Sequence, residues 1–134
     1  MPDTTPWPPG LTRVPFHLYQ DPETLRAEQR KIFEGPAQHY LCLEVEIENT
    51  GDYRTTQIGD LPVIVVRGEH NQIHAFENRC AHRGALIAFK NSGTVKDFTC
   101  AYHAWRYDLQ GNLCSVAFQR GVGGKGGMPD DFRM

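Results

Sequence analysis

No aliphatic run in this 134-residue chain exceeds four residues, and Val63-Ile64-Val65-Val66 is one of that length. A bilayer span needs about 20 apolar residues, so no transmembrane helix is expected. There is no excess of basic charge either: 14 Lys and Arg stand against 16 Asp and Glu, for a net charge of −2. That balance offers no electrostatic footprint for nucleic acid or an anionic membrane surface. The first residues, Met1-Pro2-Asp3-Thr4-Thr5-Pro6, carry neither a basic nor an apolar segment and do not read as a secretory signal. Cysteine is scarce, at four residues. Without an export signal these argue for a reducing compartment, expected to be the cytoplasm, and against a disulfide framework. Internal repeats are absent. With 40% hydrophobic and 22% charged residues, what remains is a globular chain of one-domain size.

Residues 1–38 read as an N-terminal arm and helix. The arm is rich in proline (Pro2, Pro6, Pro8, Pro9, Pro15). Asp21 can cap a helix, Pro22 suits its first position, and Glu23 favours its positive end. The helix is expected to run to about Phe33 and stop at Gly35-Pro36, with Leu25, Ile32 and Phe33 as a weak apolar face packed on a sheet. Residues 39–118 change period. Leu41, Leu43, Val45 and Ile47 alternate with polar residues as a half-buried strand would. Further strands are expected over Tyr53–Ile58, Pro62–Arg67 and Ile73–Glu77, then at Phe98-Thr99, Trp105–Asp108 and Leu113–Phe118, with turns between them. The pattern predicts a mainly β fold, an antiparallel sandwich or barrel. Residues 119–134 hold five glycines within Gly121–Gly127. They are expected to be a linker or loop whose partner lies outside this sequence, because Phe132 and Met134 have nothing local to pack on.

The chemistry concentrates between Cys80 and His103. Cys80-Ala81-His82 and Cys100-Ala101-Tyr102-His103 are separated by 17 residues, and each short loop offers one thiolate and one imidazole. A Cys₂His₂ set can hold zinc or a [2Fe–2S] cluster. Finger-type zinc sites usually draw one pair from cysteines and the other from histidines. The mixed pairs here suit a cluster with two Cys on one iron and two His on the other, since each loop can straddle both irons. Imidazole ligands put less negative charge on such a site than thiolates and make it easier to reduce, and loop amides aimed at sulfur raise the potential further. Around the four donors, Gly84 is expected to let the backbone approach closely. Arg83 sets a cation beside a ligand or pairs with a carboxylate on a partner domain. Trp105 is apolar where a hydroxyl could reach sulfur. Cys42 and Cys114 are expected to be small buried residues. His17, His39, His70 and His74 read as ordinary surface or packing histidines, with no carboxylate completing a second iron site.

Cys80-Ala81-His82-Arg83-Gly84-Ala85 and Cys100-Ala101-Tyr102-His103-Ala104-Trp105 resemble the two cluster loops of Rieske proteins. Gly51–Thr55, Ile58–Arg67, Ala75–Cys80 and Tyr107–Asn112 extend the resemblance over roughly residues 18–118. There it is similar to the N-terminal domain of the large (alpha) subunit of bacterial aromatic-ring-hydroxylating dioxygenases. The resemblance implies a Rieske-type β fold with two cluster-binding loops and one N-terminal helix. It implies a [2Fe–2S] cluster on Cys80, His82, Cys100 and His103, surrounded by Arg83, Gly84, Tyr102 and Trp105. Respiratory Rieske proteins join their loops by a disulfide; Ala85 and Tyr102 occupy those places here, and Trp105 replaces a sulfur-directed hydroxyl. Both departures resemble the low-potential branch, near roughly −150 mV.

The implied role is one-electron transfer to the mononuclear Fe(II) of a dioxygenase, an oxidoreductase in aromatic catabolism. In the complete system NAD(P)H is the electron source, and a ferredoxin or flavin reductase is the donor. The acceptor is a catalytic domain of the same or a neighbouring alpha subunit, with a possible beta subunit; nucleic acid and membrane are not expected partners. The chain is expected to be a truncated alpha subunit without its catalytic domain, redox-active but not oxygenating. Gly126-Gly127-Met128-Pro129 resembles large subunits acting on aminobenzoate or hydroxybenzoate. A free-standing Rieske ferredoxin is the alternative, and a structural zinc domain the third.

Overall fold

Asp21 caps the α-helix of the N-terminal unit. Its Oδ2 accepts from the Thr24 amide at 3.0 Å and the Thr24 hydroxyl at 2.6 Å, and its Oδ1 accepts from the Glu23 amide at 3.3 Å. These bonds, led by the Thr24 hydroxyl, hold the carboxyl below its ordinary range. The helix α1 (Pro22–Glu28) follows as expected, but its end differs. Gln29–Phe33 widens into a π turn, with the Glu34 amide donating to the Gln29 carbonyl at 2.8 Å. A side chain at Gly35 would meet the Lys31 carbonyl oxygen at 2.2 Å, so glycine is required where the helix stops. None of the α1 residues is buried, so the expected apolar face forms no core. The computed structural model describes residues 14–128. Most of the proline-rich arm, and the segment holding Phe132 and Met134, lie outside them. The chain divides into two units, one ending at His39 and the other starting at Tyr40.

The second unit is mainly antiparallel β, as the alternation predicted. Strands β1 (Asp52–Ile58), β2 (Leu61–Arg67), β3 (Ile73–Glu77) and β4 (Ser92–Thr94) form one sheet in the order β3-β2-β1-β4. Tyr53 pairs with Val66 and Ile64 with Phe76. The run Val63–Val66 is buried on both faces of this sheet. Because strand side chains alternate, Ile64 and Val66 enter the larger core while Val63 and Val65 pack with Ile47 on the other side. A second sheet, β5 (Phe98–Thr99), β6 (Arg106–Tyr107) and β7 (Leu113–Ser115), adds Phe98 and Tyr107 to the larger core.

One expectation is corrected. Leu41–Ile47 is not a strand: Glu44–Glu46 forms a 3₁₀ turn, and Leu43 and Val45 are exposed. The cause is Arg67, 6% exposed, whose Nε donates to the Ile47 carbonyl at 2.5 Å and whose Nη2 reaches the Glu44 carbonyl at 3.4 Å. These bonds replace a strand ladder and outweigh the apolar alternation. The glycine-rich segment, expected to be a linker or loop, carries local structure at residues 121–126. Strands β8 (Gly121–Val122) and β9 (Lys125–Gly126) form a hairpin, closed by Gly123 and Gly124 at φ +63 and +78. Two consecutive positive φ values are what a two-residue hairpin turn of the primed type demands. The Met128 amide then donates to the Gln119 carbonyl at 2.8 Å, and its side chain packs on the larger core.

Candidate metal centre

Each donor loop leaves a strand, and the two loops are built alike. In the first, the Cys80 amide donates to the Ala85 carbonyl at 2.7 Å and the Gly84 amide to the Cys80 carbonyl at 2.7 Å. In the second, the Cys100 amide donates to the Trp105 carbonyl at 2.8 Å and the Ala104 amide to the Cys100 carbonyl at 2.9 Å. Both loops turn through a left-handed residue at the same place, Gly84 at φ +71 and Ala104 at φ +55. No protein atom lies within 4 Å of a β-carbon built at Gly84. Its positive φ gives glycine a conformational role at this turn. Asn78 ties down the first loop from below. Its Oδ1 accepts from the Ile87 and Ala88 amides at 3.0 and 2.8 Å, and its Nδ2 donates to the Ala88 carbonyl at 2.8 Å.

The four donors come together as two pairs. Cys80 and Cys100 are each 2% exposed and belong to the larger core. His82 and His103 lie on the exposed side, edge to face with ring centres 4.7 Å apart. Trp105 stacks on His82 at 4.8 Å, and Tyr102 tilts against His103 at 4.0 Å. Among the described residues, no three His, Cys, Asp or Glu side chains are grouped closely enough to share a single ion. A thiol pair beside an imidazole pair is a donor set that fits a binuclear iron–sulfur group.

Tyr107 is the functional residue that sequence reasoning missed. Its hydroxyl lies 3.1 Å from the Cys80 Sγ and accepts from the Ala81 amide at 3.1 Å. Burial pushes the Cys80 thiol up, but hydrogen bonds from Tyr107, the His82 and Arg83 amides and Cys100 together bring it below its ordinary value. Burial and the neighbouring Cys80 push the Tyr107 phenol well up. The phenol therefore keeps its proton and donates to sulfur. The available signal was period-two alternation: in a strand, residues 105 and 107 share a face. A hydroxyl does reach sulfur, but from Tyr107 and not from the position of Trp105.

The remaining cysteines and histidines stand apart from this centre. Cys42 is half-buried, and burial raises its thiol. Cys114 was expected to be buried and is exposed. Arg106 pairs with Ser115 while Tyr107 pairs with Leu113, so Cys114 is the extra residue of a bulge. His39 stacks on Phe33, and the His74 ring packs beneath Gly68. An open concavity of about 490 Å³ lies over the imidazoles, lined by His82, Tyr102, His103, Trp105, Phe118 and Met128. A larger groove of about 1040 Å³ along Arg54, Gln57, Arg79 and Phe89 contains none of the four donors.

Residues 37–122 match the model of the Rieske [2Fe–2S] domain. The chain belongs to that family. It is 54% identical over 121 residues to the alpha 2 subunit of the terminal oxygenase component of terephthalate 1,2-dioxygenase from Comamonas sp., covering 90% of this chain and 29% of that subunit. It is 45% identical, with the same coverage, to the large subunit of anthranilate 1,2-dioxygenase from Burkholderia cepacia. A naphthalene 1,2-dioxygenase bound to phenanthrene superimposes with a TM-score of 0.73 at 33% identity, over 84% of this chain and 25% of that one. The chain thus spans about 29% of the length of the curated relatives it matches. Among the described residues, no helix of this Rieske domain is long and apolar enough to cross a membrane.

Proposed function

We propose that this chain transfers single electrons through a Rieske [2Fe–2S] cluster, with Cys80 and Cys100 on one iron and His82 and His103 on the other. In the complete protein this would feed the mononuclear iron of an aromatic-ring-hydroxylating dioxygenase. The observation that carries the reading is the sorting of the donors: two buried thiols beside two exposed, paired imidazoles. When bound, the cluster supplies a one-electron couple, at a higher potential than all-cysteine ligation would give.

The chain's own residues divide the remaining work. The core around Cys80 and Cys100 excludes water from the sulfurs. Tyr107 and the loop amides offset negative charge there. Trp105 holds the His82 plane by stacking, and Tyr102 packs at a tilt against His103. The exposed imidazole edges and the concavity above them give the electron a short route to a docked protein. The donor would be a ferredoxin or flavin reductase, and the acceptor a catalytic domain of the same or a neighbouring alpha subunit. Similarity to alpha subunits favours this over a free-standing ferredoxin, and the reading frame downstream of Met134 is the direct check. Relatives named for terephthalate and anthranilate favour an aromatic carboxylate as the complete enzyme's substrate.

The test is spectroscopic. Natively purified chain, reduced with dithionite, should give a rhombic EPR signal with average g below the free-electron value and contain iron and sulfide in equal amounts. Colourless protein holding one zinc per chain would defeat the proposal.

A further inference from the structure

Nothing covalent joins the two donor loops. All four cysteines are free, and the backbone hydrogen bonds that shape each loop stay within it. Side chains make the connection at two levels. Below, Tyr107 reaches across to Cys80 and the Ala81 amide. Above, Arg83 of the first loop reaches Tyr102 of the second. The guanidinium carbon is 5.4 Å from the ring centre, and Nη1 is 3.5 Å from the phenol oxygen. That ring in turn packs on His103, which meets His82 edge to face. The contacts close a circuit: Arg83, Tyr102, His103, His82, and back along the chain to Arg83.

We propose that Arg83 and Tyr102 form a cross-loop clasp that orients His103 and slows loss of the cofactor. This rests on the reading of His82 and His103 as ligands. Both clasp residues are exposed. Ordering two long exposed side chains costs rotamer entropy, so a contact between them has to be favourable in itself. A guanidinium within about 6 Å of an aromatic ring centre supplies that attraction. With no disulfide, separation of the two loops is opposed above the imidazoles by this contact, and cofactor loss requires that separation. Arg83 and Tyr102 are positioning residues that act through His103.

The experiment uses the cofactor-loaded chain and follows the decay of visible absorbance under a chelator in air. It compares wild type with Arg83→Gln, Tyr102→Leu, the double variant and Tyr102→Phe. At an exposed site a cation–π contact corresponds to roughly a 2- to 5-fold change. Each of Arg83→Gln and Tyr102→Leu should speed loss by that factor, and the double variant should be no faster than the worse single. Tyr102→Phe should stay near wild type, because it keeps the ring face. The EPR rhombicity of the reduced protein should shift alike in Arg83→Gln and Tyr102→Leu, a change that loosened packing elsewhere would not produce. Multiplying effects in the double variant, an unaffected Arg83→Gln, or a Tyr102→Phe as fast as Tyr102→Leu would each overturn the clasp while the ligand reading stands. A wild-type chain that takes up no cluster overturns both. Both side chains are exposed, and unchanged far-ultraviolet circular dichroism verifies that the variants fold.

Discussion

The Tyr107 hydroxyl sits 3.1 Å from both the Cys80 sulfur and the Ala81 amide nitrogen, so it is oriented from one side while donating to the other. A donor fixed at a thiolate stabilises the more negative, reduced state of the centre. Tyr107→Phe should therefore lower the reduction potential, on the order of 50 mV for the partial loss of one charge-assisted bond. A redox titration that finds an unchanged potential would remove Tyr107 from the site.

The four donors make a sharper prediction. Cys100→Ser or His103→Ala should abolish or strongly perturb the visible absorption, because each would remove a proposed metal ligand without touching the strands beneath. Spectra identical to wild type would reject the assignment.

Ala104 and Gly84 occupy equivalent left-handed positions in the two loops. A β-carbon in that conformation costs roughly 1–2 kcal/mol, partly offset by the entropy that glycine adds to the unfolded chain. Ala104→Gly should stabilise the protein by about 0.5–1 kcal/mol, and Gly84→Ala should destabilise it by a similar amount although space is free around it. Denaturant unfolding measures both; destabilisation by Ala104→Gly would mean that the methyl group has a packing role.

Asn78 is 3% exposed and satisfies two amides and one carbonyl beneath the first loop. Asn78→Ala strands those buried groups at a cost of about 2–4 kcal/mol. The midpoint of urea unfolding should fall accordingly, and a shift within error of zero would contradict the network.

Asp108 provides a pH test away from the donors. Burial raises its carboxyl, but the Asn112 side chain and the amides of Asn112, Gln110 and Gly111 outweigh it and hold the folded value below the ordinary 3.8. A depressed carboxylate contributes stability that is fully present above the unfolded pKa and is lost as pH falls through the folded one. Asp108→Asn should therefore be less stable than wild type at pH 5 to 7, and the gap should close on acidification below pH 3.8. A gap independent of pH would show that the charge is irrelevant to this turn.

Strands β1, β2 and β3 were legible because their alternation and the turns between them are local. The Asp21 cap was legible for the same reason. Leu41–Ile47 misled, since its alternation is strand-like while its carbonyls are taken by Arg67, 20 residues beyond Ile47. The β8–β9 hairpin was invisible as period, because strands of two residues have none. Its signal was the Gly123-Gly124 pair, which reads equally well as a linker.

By itself, the sequence offered the candidate donor set. Cys80, His82, Cys100 and His103 declare themselves because ligand spacing within a loop is a property of a few adjacent residues. Their resemblance to Rieske loops was readable on the same ground, and the family match agrees with it. Only the tertiary structure decided which hydroxyl meets sulfur, which cation covers which ring, and that Gly84 and Ala104 share a left-handed position in the two loops. Tyr107 is 27 residues from Cys80, and Tyr102 is 19 from Arg83. Contacts at such separations depend on how two sheets bring their loops together, and no local pattern encodes them.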